Sequence, residues 1–343
     1  MNSKYNRVMF VTNSLSGGGA ERATNILVNA MMDYGNQVSL VAVNHGPKDL
    51  IEPKCQIFEL KRKWQGGVIS VLVAQIKLQK AIWKFKPQYL VLNCDIPELL
   101  GSMTIGRHKL IAVEHATYPW INRIGLGKLT RKLLGARNTK WVAVSDHLTI
   151  WGLNSLPNIS ICNATVSHPT TQKTSSGEIR RLNYVGRLSR EKQPIWTLDI
   201  AKQTNLPIRI FGDGLLKSEL QEYAQINNID IEFAGFVLNP WAFFSEGDLL
   251  LVPSSFEGDG LVVVEAITNR IPLIVNNIPD LNRFKLEKRN YAASAEEFSK
   301  VILENLNMIE LFVTKELKTL EILEDRDPIK VSQKWSEFLD TLN

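Results

Sequence analysis

The stretch DLLLVPSSFEGDGLVVVEAITNRIPLIVNN, residues 248–277, decides the fold. Its two ends are short runs of Leu, Ile and Val that predict buried strands, and a glycine-rich loop from Phe256 to Gly260 follows the first of them. Three valines in the middle favour a strand locally. Two parallel strands need a crossover between them, however, so we predict a helix from Leu261 to Asn269. The stretch is one strand–helix–strand unit of a parallel sheet.

The same alternation runs through the rest of the chain. In the second half, apolar runs end at Gly, Asn, Pro or Ser, and the segments between them repeat apolar residues every three or four positions. The further strands predicted there are LNYVGRL (182–188), IRIFGDG (208–214) and IEFAGF (231–236). The first half follows the same plan, with strands RVMFVTN, QVSLVAVN, YLVLNC, KLIAVEH and KWVAVSD, a helix from Ala20 to about Tyr34, and a basic helix that ends at Lys86.

Strands that alternate with helices predict the α/β class, with two Rossmann-like domains in tandem. A chain of 343 residues exceeds the usual size of one hydrophobic core. The joint is expected at residues 162–178, where Pro, Ser, Thr and Gly accumulate. We therefore predict domains at residues 1–165 and 166–325.

The composition is typical of a globular protein of the cytosol. Hydrophobic residues make up 44% and charged residues 22% of the chain. No run approaches the roughly 18 apolar residues of a transmembrane helix, and the first residues lack the long apolar core of a signal peptide. Cys55, Cys94 and Cys162 are odd in number and too far apart for paired metal ligands, which makes disulfides or zinc unexpected.

Charge is concentrated in the first half. Residues 1–165 carry 20 Lys and Arg against 9 Asp and Glu, a net charge of +11, whereas residues 166–343 carry 20 against 26, a net charge of −6. Two basic stretches interleave cations with Trp, Leu or Ile: Lys61-Arg62-Lys63-Trp64 leading into QIKLQKAIWKFK, and RIGLGKLTRKLLGARNTK from Arg123 to Lys140. Such stretches are typical of segments that lie on an anionic lipid surface. The solvated face of an ordinary helix is the alternative, and nucleic acid ranks last because no recognition motif accompanies the charge.

Two loops at predicted strand ends suit a phosphate ligand. Residues 16–20, Ser-Gly-Gly-Gly-Ala, let backbone amides approach a phosphate or sugar, although the spacing matches neither the dinucleotide fingerprint nor a P-loop. Arg187 and Lys192 follow the first strand of the second domain and offer fixed cations for a diphosphate. An ordinary tight turn and a surface ion pair with Glu191 or Asp199 are the alternative interpretations.

The loop of the opening stretch carries two carboxylates at different depths. Glu257 lies in the loop, with Asp259 near the helix cap, and Glu265 follows in the second turn of the predicted helix. Two groups that only accept hydrogen bonds suit a polyhydroxyl ligand, one for a sugar ring and one for a ribose. Capping or a salt bridge is the alternative for either glutamate alone.

The motifs occur in an order that resembles retaining glycosyltransferases of the GT-B fold, family four, of the kind that builds lipopolysaccharide, O-antigen or capsule. They are the GGGAER turn, the VAVSD strand end, YVGRLSREK, the IFGDG and GF loops, and the Glu-x7-Glu of Glu257 and Glu265. The resemblance spans nearly the whole chain. It implies two Rossmann-like domains that face each other across a cleft, and a last helix within residues 326–343 that crosses back to the first domain.

The resemblance also implies roles for single residues. Arg187 and Lys192 would hold the diphosphate of a nucleotide sugar, most often a UDP sugar, Glu257 the transferred sugar and Glu265 the ribose. His115 would approach the donor sugar, although a lone histidine is more often structural. The resemblance implies four catalytic residues, His115, Arg187, Lys192 and Glu257. The donor-binding residues that it implies are Gly18, Gly19, Gly212, Asp213, Gly214, Phe236, Val237, Gly258, Asp259, Gly260, Leu261 and Glu265. Ser145 and Asn163 match further family positions.

The expected function is therefore hexosyl transfer with retained anomeric configuration, to a lipid-linked or lipopolysaccharide-type glycan, by a cytoplasmic enzyme peripheral on the anionic inner membrane surface. No metal or other cofactor and no nucleic acid is expected, and no oligomeric state is predicted. The chain departs from the family at Asn163-Ala164-Thr165-Val166 and at Asp259, where an aromatic or apolar residue is commoner. A nucleotide-sugar epimerase of the same fold and a non-catalytic nucleotide-sugar-binding relative stay open as alternatives, whereas a dehydrogenase lacks its fingerprint.

Overall fold

The chain forms two compact α/β units. The computed structural model describes residues 6–15, 18–45, 51–62, 67–121, 123–165, 177–314 and 323–342. The first unit comprises Met1–Val166 together with Asp325–Asn343, and the second comprises Ser167–Glu324. The last segment of the chain therefore belongs to the first unit.

The first unit is built on a seven-stranded parallel sheet with the strand order β3-β2-β1-β4-β5-β6-β7. Its inner strands are runs of Val, Leu, Ile and Ala that are buried on both faces, as parallel sheets require. The strands are β1 (Arg7–Thr12), β2 (Gln37–Asn44), β3 (Gln56–Arg62), β4 (Tyr89–Asn93), β5 (Lys109–Glu114), β6 (Lys140–Ala143) and β7 (Ile159–Ser160).

Helices cover both faces of this sheet. They are α1 (Gly19–Asp33), α2 (Val68–Phe85), α3 (Asp95–Ser102) and α4 (Ile124–Ala136). One core cluster joins α2, α3 and α4 to one face, and a second joins α1 and the C-terminal helix, Pro328–Thr341, to the other. Trp335 of that helix packs edge-on against Phe10 of β1 at 5.9 Å between ring centroids. The predicted return of the last helix to the first domain is confirmed.

The second unit contains a six-stranded parallel sheet with the order β10-β9-β8-β11-β12-β13. Its strands are β8 (Arg181–Val185), β9 (Ile208–Phe211), β10 (Ile231–Gly235), β11 (Asp248–Val252), β12 (Leu273–Asn276) and β13 (Tyr291–Ala292). Its helices are α5 (Pro194–Thr204), α6 (Lys217–Ile226), α7 (Leu261–Thr268), α8 (Pro279–Asn282) and α9 (Ala295–Glu304), and the C-terminal helix is α10. The α/β class with two Rossmann-like domains is therefore confirmed.

Helix α7 forms despite its three valines. Val263 and Val264 are completely buried in the core between β11 and β12, so tertiary packing outweighs their local preference for a strand. The helix begins after Gly260, whose φ of 61° lies in the left-handed region. A β-carbon at Gly260 would lie 2.9 Å from the ring of Phe284, so both conformation and space require glycine there.

Each sheet reverses its strand order at one point. The reversal lies between β1 and β4 in the first unit and between β8 and β11 in the second. Ligands of doubly wound sheets bind beyond the carboxyl ends of the strands at such a switch point. A ligand-binding site is therefore expected at the loops after these four strands.

Three of the basic residues assigned to lipid-facing helices are placed differently by the structure. Lys61 and Arg62 end β3, a strand absent from the prediction, and Arg62 is buried with its guanidinium on Asn44 Oδ1 at 3.0 Å. Arg131 of α4 is also fully buried. The prediction that these two arginines face a lipid surface is wrong, because both have polar partners inside the unit. Lys63 and Trp64 lie outside the described residues.

Exposed cations and apolar side chains do lie on the outer faces of two helices. On α4, Ile124, Leu129 and Leu133 are exposed beside Lys128 and Lys132. On α2, the exposed side chains are Val68, Ile69, Leu72, Val73, Ile76, Lys77, Lys80, Trp83 and Lys84. None of the helices in the described ranges has the length and apolar character needed to cross a bilayer.

Candidate functional site

The loops after β8 and β11 meet through a charged pair at the switch point of the second sheet. Lys192 Nζ donates to Glu257 Oε1 at 2.6 Å. Glu257 is buried, and the Lys192 side chain is partly exposed. Backbone contacts reinforce the pair, because Ser255 donates to the Glu191 carbonyl from its amide at 2.8 Å and from its hydroxyl at 3.0 Å. Two predicted site residues are thus brought together.

The loop after β8 turns around a buried tyrosine. Tyr184 OH donates to the Arg187 carbonyl at 2.7 Å. Burial raises the pKa of Tyr184 well above its ordinary range, and the negative charges of Glu257 and Glu191 raise it further. The phenol therefore stays protonated and remains a donor. The Arg187 side chain is exposed and makes no ion pair within the described part of the chain.

Two glycines after β9 allow the loops of neighbouring strands to touch. A β-carbon at Gly212 would lie 1.8 Å from the Gly186 carbonyl oxygen, and one at Gly214 would lie 2.4 Å from the Leu188 carbonyl oxygen. The Leu188 amide also donates to the Asp213 carbonyl at 3.0 Å. Only glycine permits this approach. The predicted residues 212–214 therefore lie directly against the loop that carries Arg187.

Other predicted donor-site residues of the second unit lie in the loops after β9, β10 and β11, and they differ in solvent exposure. The Asp213 carboxylate is exposed, accepts from the Gly214 amide at 2.8 Å and lies 3.7 Å from Lys217 Nζ. Phe236 is exposed and Val237 half-buried just beyond β10. Gly258 and Gly260 are buried and Leu261 is half-buried at the start of α7.

Glu265 is held by an aromatic donor. Trp241 Nε1 donates to Glu265 Oε2 at 2.8 Å from the turn that precedes β11. Trp241 is buried and packs against Phe244 at 5.5 Å between ring centroids. Glu265 itself is half-buried on α7. The carboxylate therefore has a fixed orientation.

Asp259 does not cap α7. The residue at the N-cap position is Gly260, which has no side chain to cap the helix. The Asp259 carboxylate is buried and accepts from Arg283 at 2.9 Å, and the same guanidinium nitrogen also donates to the Asp259 carbonyl. The departure from the family pattern at this position is therefore matched by a cation from the segment after α8.

In the first unit, the glycine-rich turn leads into α1. Gly18 has an extended backbone, with φ −162°, and Gly19 is the first residue of the helix. Gly18 is half-buried and Gly19 exposed. The preceding Ser16 and Gly17 lie outside the described residues. The two described glycines therefore stand at the carboxyl end of β1, beside the switch point of the first sheet.

His115 follows β5 and is tied to the neighbouring strand end. One ring nitrogen, Nε2, is 3.0 Å from Asn93 Oδ1, and Asn93 Nδ2 donates to Thr24 Oγ1 at 3.3 Å. The three side chains line a pocket of about 20 Å³ in the first unit, together with Asn163. That volume suits one or two waters. Ser145 Oγ contacts His147 Nδ1 at 2.8 Å, and Asn163 uses its carbonyl to accept from Arg326 at 3.3 Å.

A buried charge cluster lies directly before His115. Arg131 of α4 donates to Glu98 of α3 at 2.7 and 2.9 Å and to Glu114 of β5 at 2.5 and 3.2 Å. Trp120 Nε1 also donates to Glu98, at 2.9 Å. Burial raises the pKa of Glu114 to about 7, against the opposing attraction of Arg131. We expect a shared proton near neutral pH, because one guanidinium faces two carboxylates.

Sequence reasoning missed the partners that orient the predicted residues. Trp241 and Asn93 hold Glu265 and His115, and neither carries a local signal, because each looks like an ordinary core or strand-end residue. Glu98 and Glu114 were missed as well. The spacing of Gly127, Arg131 and Leu134 on the buried face of α4 is the signal that would have placed Arg131 inside.

Comparison with known proteins relates the second unit to a family of glycosyltransferases. The family model described as "Glycosyl transferases group 1" matches residues 171–287, which include both charged loops of the second unit. Residues 171–287 are therefore similar to the group 1 glycosyltransferases. An uncharacterised glycosyltransferase of Haemophilus influenzae is 21% identical over 96% of this chain and 98% of its own length.

One further relative and one solved structure have more specific descriptions. A Campylobacter jejuni α-1,4-N-acetyl-D-galactosaminyltransferase, whose name gives a glycan on diphospho-undecaprenol as acceptor, is 22% identical over 76% of each chain. The crystal structure of Anabaena HepE in complex with UDP and glucose superposes with a TM-score of 0.73 over 98% of this chain and all of that chain, at 14% identity. That structural likeness shows the shared fold.

Proposed function

We propose that this glycosyltransferase moves a hexose, with retention of configuration, from a UDP sugar to a lipid-linked glycan at the cytoplasmic face of the inner membrane. The observation that supports a nucleotide-sugar donor is the ion pair between Lys192 Nζ and Glu257 Oε1, which are 2.6 Å apart. The pair joins a cation and a carboxylate from two strand ends at the switch point of the second sheet. A sugar with a charged leaving group needs both kinds of group at one place.

Arg187 and Lys192 would take the diphosphate. Arg187 is exposed and offers a planar fork for phosphate oxygens, and Lys192 is a compact cation that the Glu191–Ser255 contacts keep close to β11. As the bond between sugar and diphosphate breaks, negative charge grows on the leaving group. Two cations at this place would stabilise that charge, and removal of one such group commonly costs about 10²–10³ in rate.

Glu257 and Glu265 would bind hydroxyls at the two ends of the donor. Glu257, next to Lys192, would hold the transferred sugar and face the positive charge that develops at its anomeric carbon. Glu265 would accept from the ribose, with its carboxylate oriented by Trp241. The loops with Gly212 to Gly214 and Phe236-Val237 would line the nucleotide pocket. This scheme uses no metal.

From the first unit, Gly18 and Gly19 would approach the diphosphate and His115 the donor sugar. Asn93 fixes the imidazole of His115 through Nε2. The pocket next to His115 is too small for a sugar, so His115 would act from its rim. We assign it to orientation of the donor.

The relatives support this choice of substrates. The HepE structure contains UDP and glucose, and the Campylobacter enzyme is named for an α linkage and a lipid-linked glycan acceptor. An α product from an α-linked UDP sugar is the outcome of retention. A lipid-linked acceptor in turn requires the enzyme to work at a membrane surface, as in the synthesis of O-antigen or capsule.

The outer faces of α2 and α4 would provide the membrane contact. Both helices cover the same face of the first sheet, and both expose large apolar side chains beside lysines. Lysines attract anionic headgroups, while Leu and Ile side chains enter the boundary between headgroups and acyl chains. Arg131 takes no part, because it is buried.

Donor identity is tested by a thermal-shift panel of nucleotides and nucleotide sugars, since a ligand of the folded state raises its stability with concentration and affinity. We expect UDP and one UDP sugar to stabilise the chain, and the Glu257→Gln variant to bind UDP but to lose transfer by about 10²-fold or more. The matched control is Glu304→Gln, an exposed glutamate on α9. Epimerised donor in place of transfer would support the epimerase, and UDP binding without any turnover would support a binding protein.

Membrane contact is tested by co-sedimentation with vesicles of phosphatidylglycerol in phosphatidylcholine. The Lys128→Gln/Lys132→Gln variant should bind less, by about 1 kcal/mol per removed cation. Its control is Lys288→Gln/Lys300→Gln, which removes the same charge from exposed positions in the second unit. Equal binding of both variants, or binding that ignores the anionic lipid, would contradict the proposal.

A further inference from the structure

The loop that carries Glu257 is also held by the segment around α8. The Glu257 amide donates to Asp280 Oδ2 at 2.7 Å. Asp280 is the second residue of α8, a helix of four residues that begins with Pro279. The backbone of Glu257 is therefore fixed by a carboxylate that lies 23 residues further along the chain.

Arg283 holds the same loop two residues later. Its guanidinium donates to the carbonyl and to the carboxylate of Asp259, and it lies over the Phe284 ring at 4.8 Å. Phe284 is completely buried and leaves no room for a side chain at Gly260. Both ends of the segment 257–260 are thus in contact with residues 280–284.

The side chain and the backbone of Glu257 are consequently fixed by different groups. Its carboxylate contacts Lys192, and its amide contacts Asp280. The backbone position sets where the side chain begins, and a misplacement of about 1 Å at a reacting centre can cost about 10²-fold in rate. Asp280 is therefore placed to determine the position of Glu257 through its backbone.

We infer that Asp280 and Arg283 are positioning residues for Glu257, which act through the loop and not on the substrate. The inference rests on the proposed function of Glu257. It also accounts for Asp259, since the buried carboxylate at this position pairs with Arg283. The segment 280–283 is thus part of the structure that keeps the donor sugar aligned.

The test compares Asp280→Ala with Asp280→Asn in the full-length chain. Asparagine keeps a side-chain oxygen that can accept from the Glu257 amide, whereas alanine does not. We expect hydrogen exchange of a peptide that spans residues 255–262 to be at least about tenfold faster in Asp280→Ala and close to wild type in Asp280→Asn. The control is Asp230→Ala, an exposed aspartate in the same unit.

Kinetics separate positioning from general damage. With the UDP sugar that gives the largest thermal shift, Asp280→Ala should lower kcat at least about tenfold, Asp280→Asn should restore it, and the Kd for UDP should stay within about twofold. Unchanged exchange in Asp280→Ala, no recovery in Asp280→Asn, or an equal loss of UDP affinity would overturn the inference.

Arg283→Lys provides a second variant if Asp280→Ala does not fold. Lysine keeps the positive charge but loses the planar guanidinium. As in Asp280→Ala, exchange of the same peptide should therefore be faster and kcat lower than in wild type. Exchange and kcat both equal to wild type would overturn the role of Arg283. If wild type transfers no sugar at all, the proposed function fails, while the exchange measurement still decides whether Asp280 fixes the loop.

Discussion

At the scale of single residues, the orientation of Glu265 depends on one hydrogen bond from a buried indole. Trp241 Nε1 donates to the carboxylate at 2.8 Å, and the ring packs on Phe244. A hydrogen bond to a charged group contributes about 1.5–3 kcal/mol. The indole therefore limits the rotamers of the side chain that we assign to the ribose.

Trp241→Phe should weaken UDP binding about tenfold, because the ring is kept while the donor to Glu265 is lost. The loss should be visible as a higher Kd for UDP in a calorimetric titration. Trp83→Phe, a change at an exposed tryptophan of α2, is the control and should leave the Kd unaltered. An unchanged Kd in Trp241→Phe would show that Glu265 needs no support from this indole, or does not bind the ribose.

The residues that sequence could identify are those with charge at a predicted strand end. Arg187, Lys192 and Glu257 stand out in this way, because charged side chains beyond buried strands are unusual among the Gly, Pro and Ser of the same loops. Trp241 could not be found, because its partner is 24 residues away and an indole in an apolar segment looks like core. The partnership exists only once the fold has brought both elements together.

At the scale of elements, α4 is fastened to the first sheet by a buried charge. Arg131 links α4 to Glu98 on α3 and to Glu114 at the end of β5, one residue before His115. Two carboxylates face one guanidinium, so the cluster favours one bound proton. We therefore expect the attachment of α4 to depend on pH.

Glu114→Gln should remove part of the pH dependence of stability. The carboxyl has an ordinary pKa of 4.5 when unfolded and a pKa of about 7 when folded, mainly because it is buried. Between these values the folded state keeps a proton that the unfolded state has lost, so wild-type stability falls as pH rises, by at most about 1.4 kcal/mol per pH unit. The fall ends once pH exceeds the folded pKa.

Urea unfolding of both proteins between pH 4.5 and 8 measures this difference. The Glu114→Gln curve should be flatter over that window, whereas Glu59→Gln, at an exposed position on β3, should follow wild type. Parallel curves for wild type and Glu114→Gln would contradict a raised pKa at Glu114.

Element boundaries were largely predictable because the apolar runs are long and bounded by turn residues. The helix Leu261–Thr268 was predicted correctly from topology, against its local valine content. Strand β3 was missed because its exposed positions and terminal lysine and arginine lack a buried-strand pattern. Arg131 was misplaced because a cation among leucines suggests a lipid-facing helix, whereas its two acidic partners lie 17 and 33 residues away.

At the scale of the whole molecule, the chain returns to its first unit at the end. Val331, Trp335, Phe338 and Leu339 of α10 lie in the core cluster of the first sheet, and Tyr89 OH donates to the Leu339 carbonyl at 2.8 Å. Helix α10 therefore completes the hydrophobic core of the first unit. The second unit has its own clusters, which contain no residue of α10.

Trp335→Ala should destabilise the first unit by about 3–5 kcal/mol, because a large side chain leaves a cavity against Phe10 and Phe338. The second unit should still bind UDP. Calorimetric unfolding and UDP titration of the same variant measure both effects, and Trp83→Ala on the exposed face of α2 is the control. Loss of UDP binding in Trp335→Ala, together with the loss of stability, would show that the two units do not fold separately.

The central claim is that the charged loops after β8 and β11 bind the nucleotide sugar. The most direct measurement is a crystal structure of the wild-type chain with UDP. We predict diphosphate oxygens within about 3 Å of the Arg187 and Lys192 side chains, and the ribose hydroxyls at the same distance from Glu265. UDP bound elsewhere, or a nucleotide at this edge with no contact to these three side chains, would contradict the account.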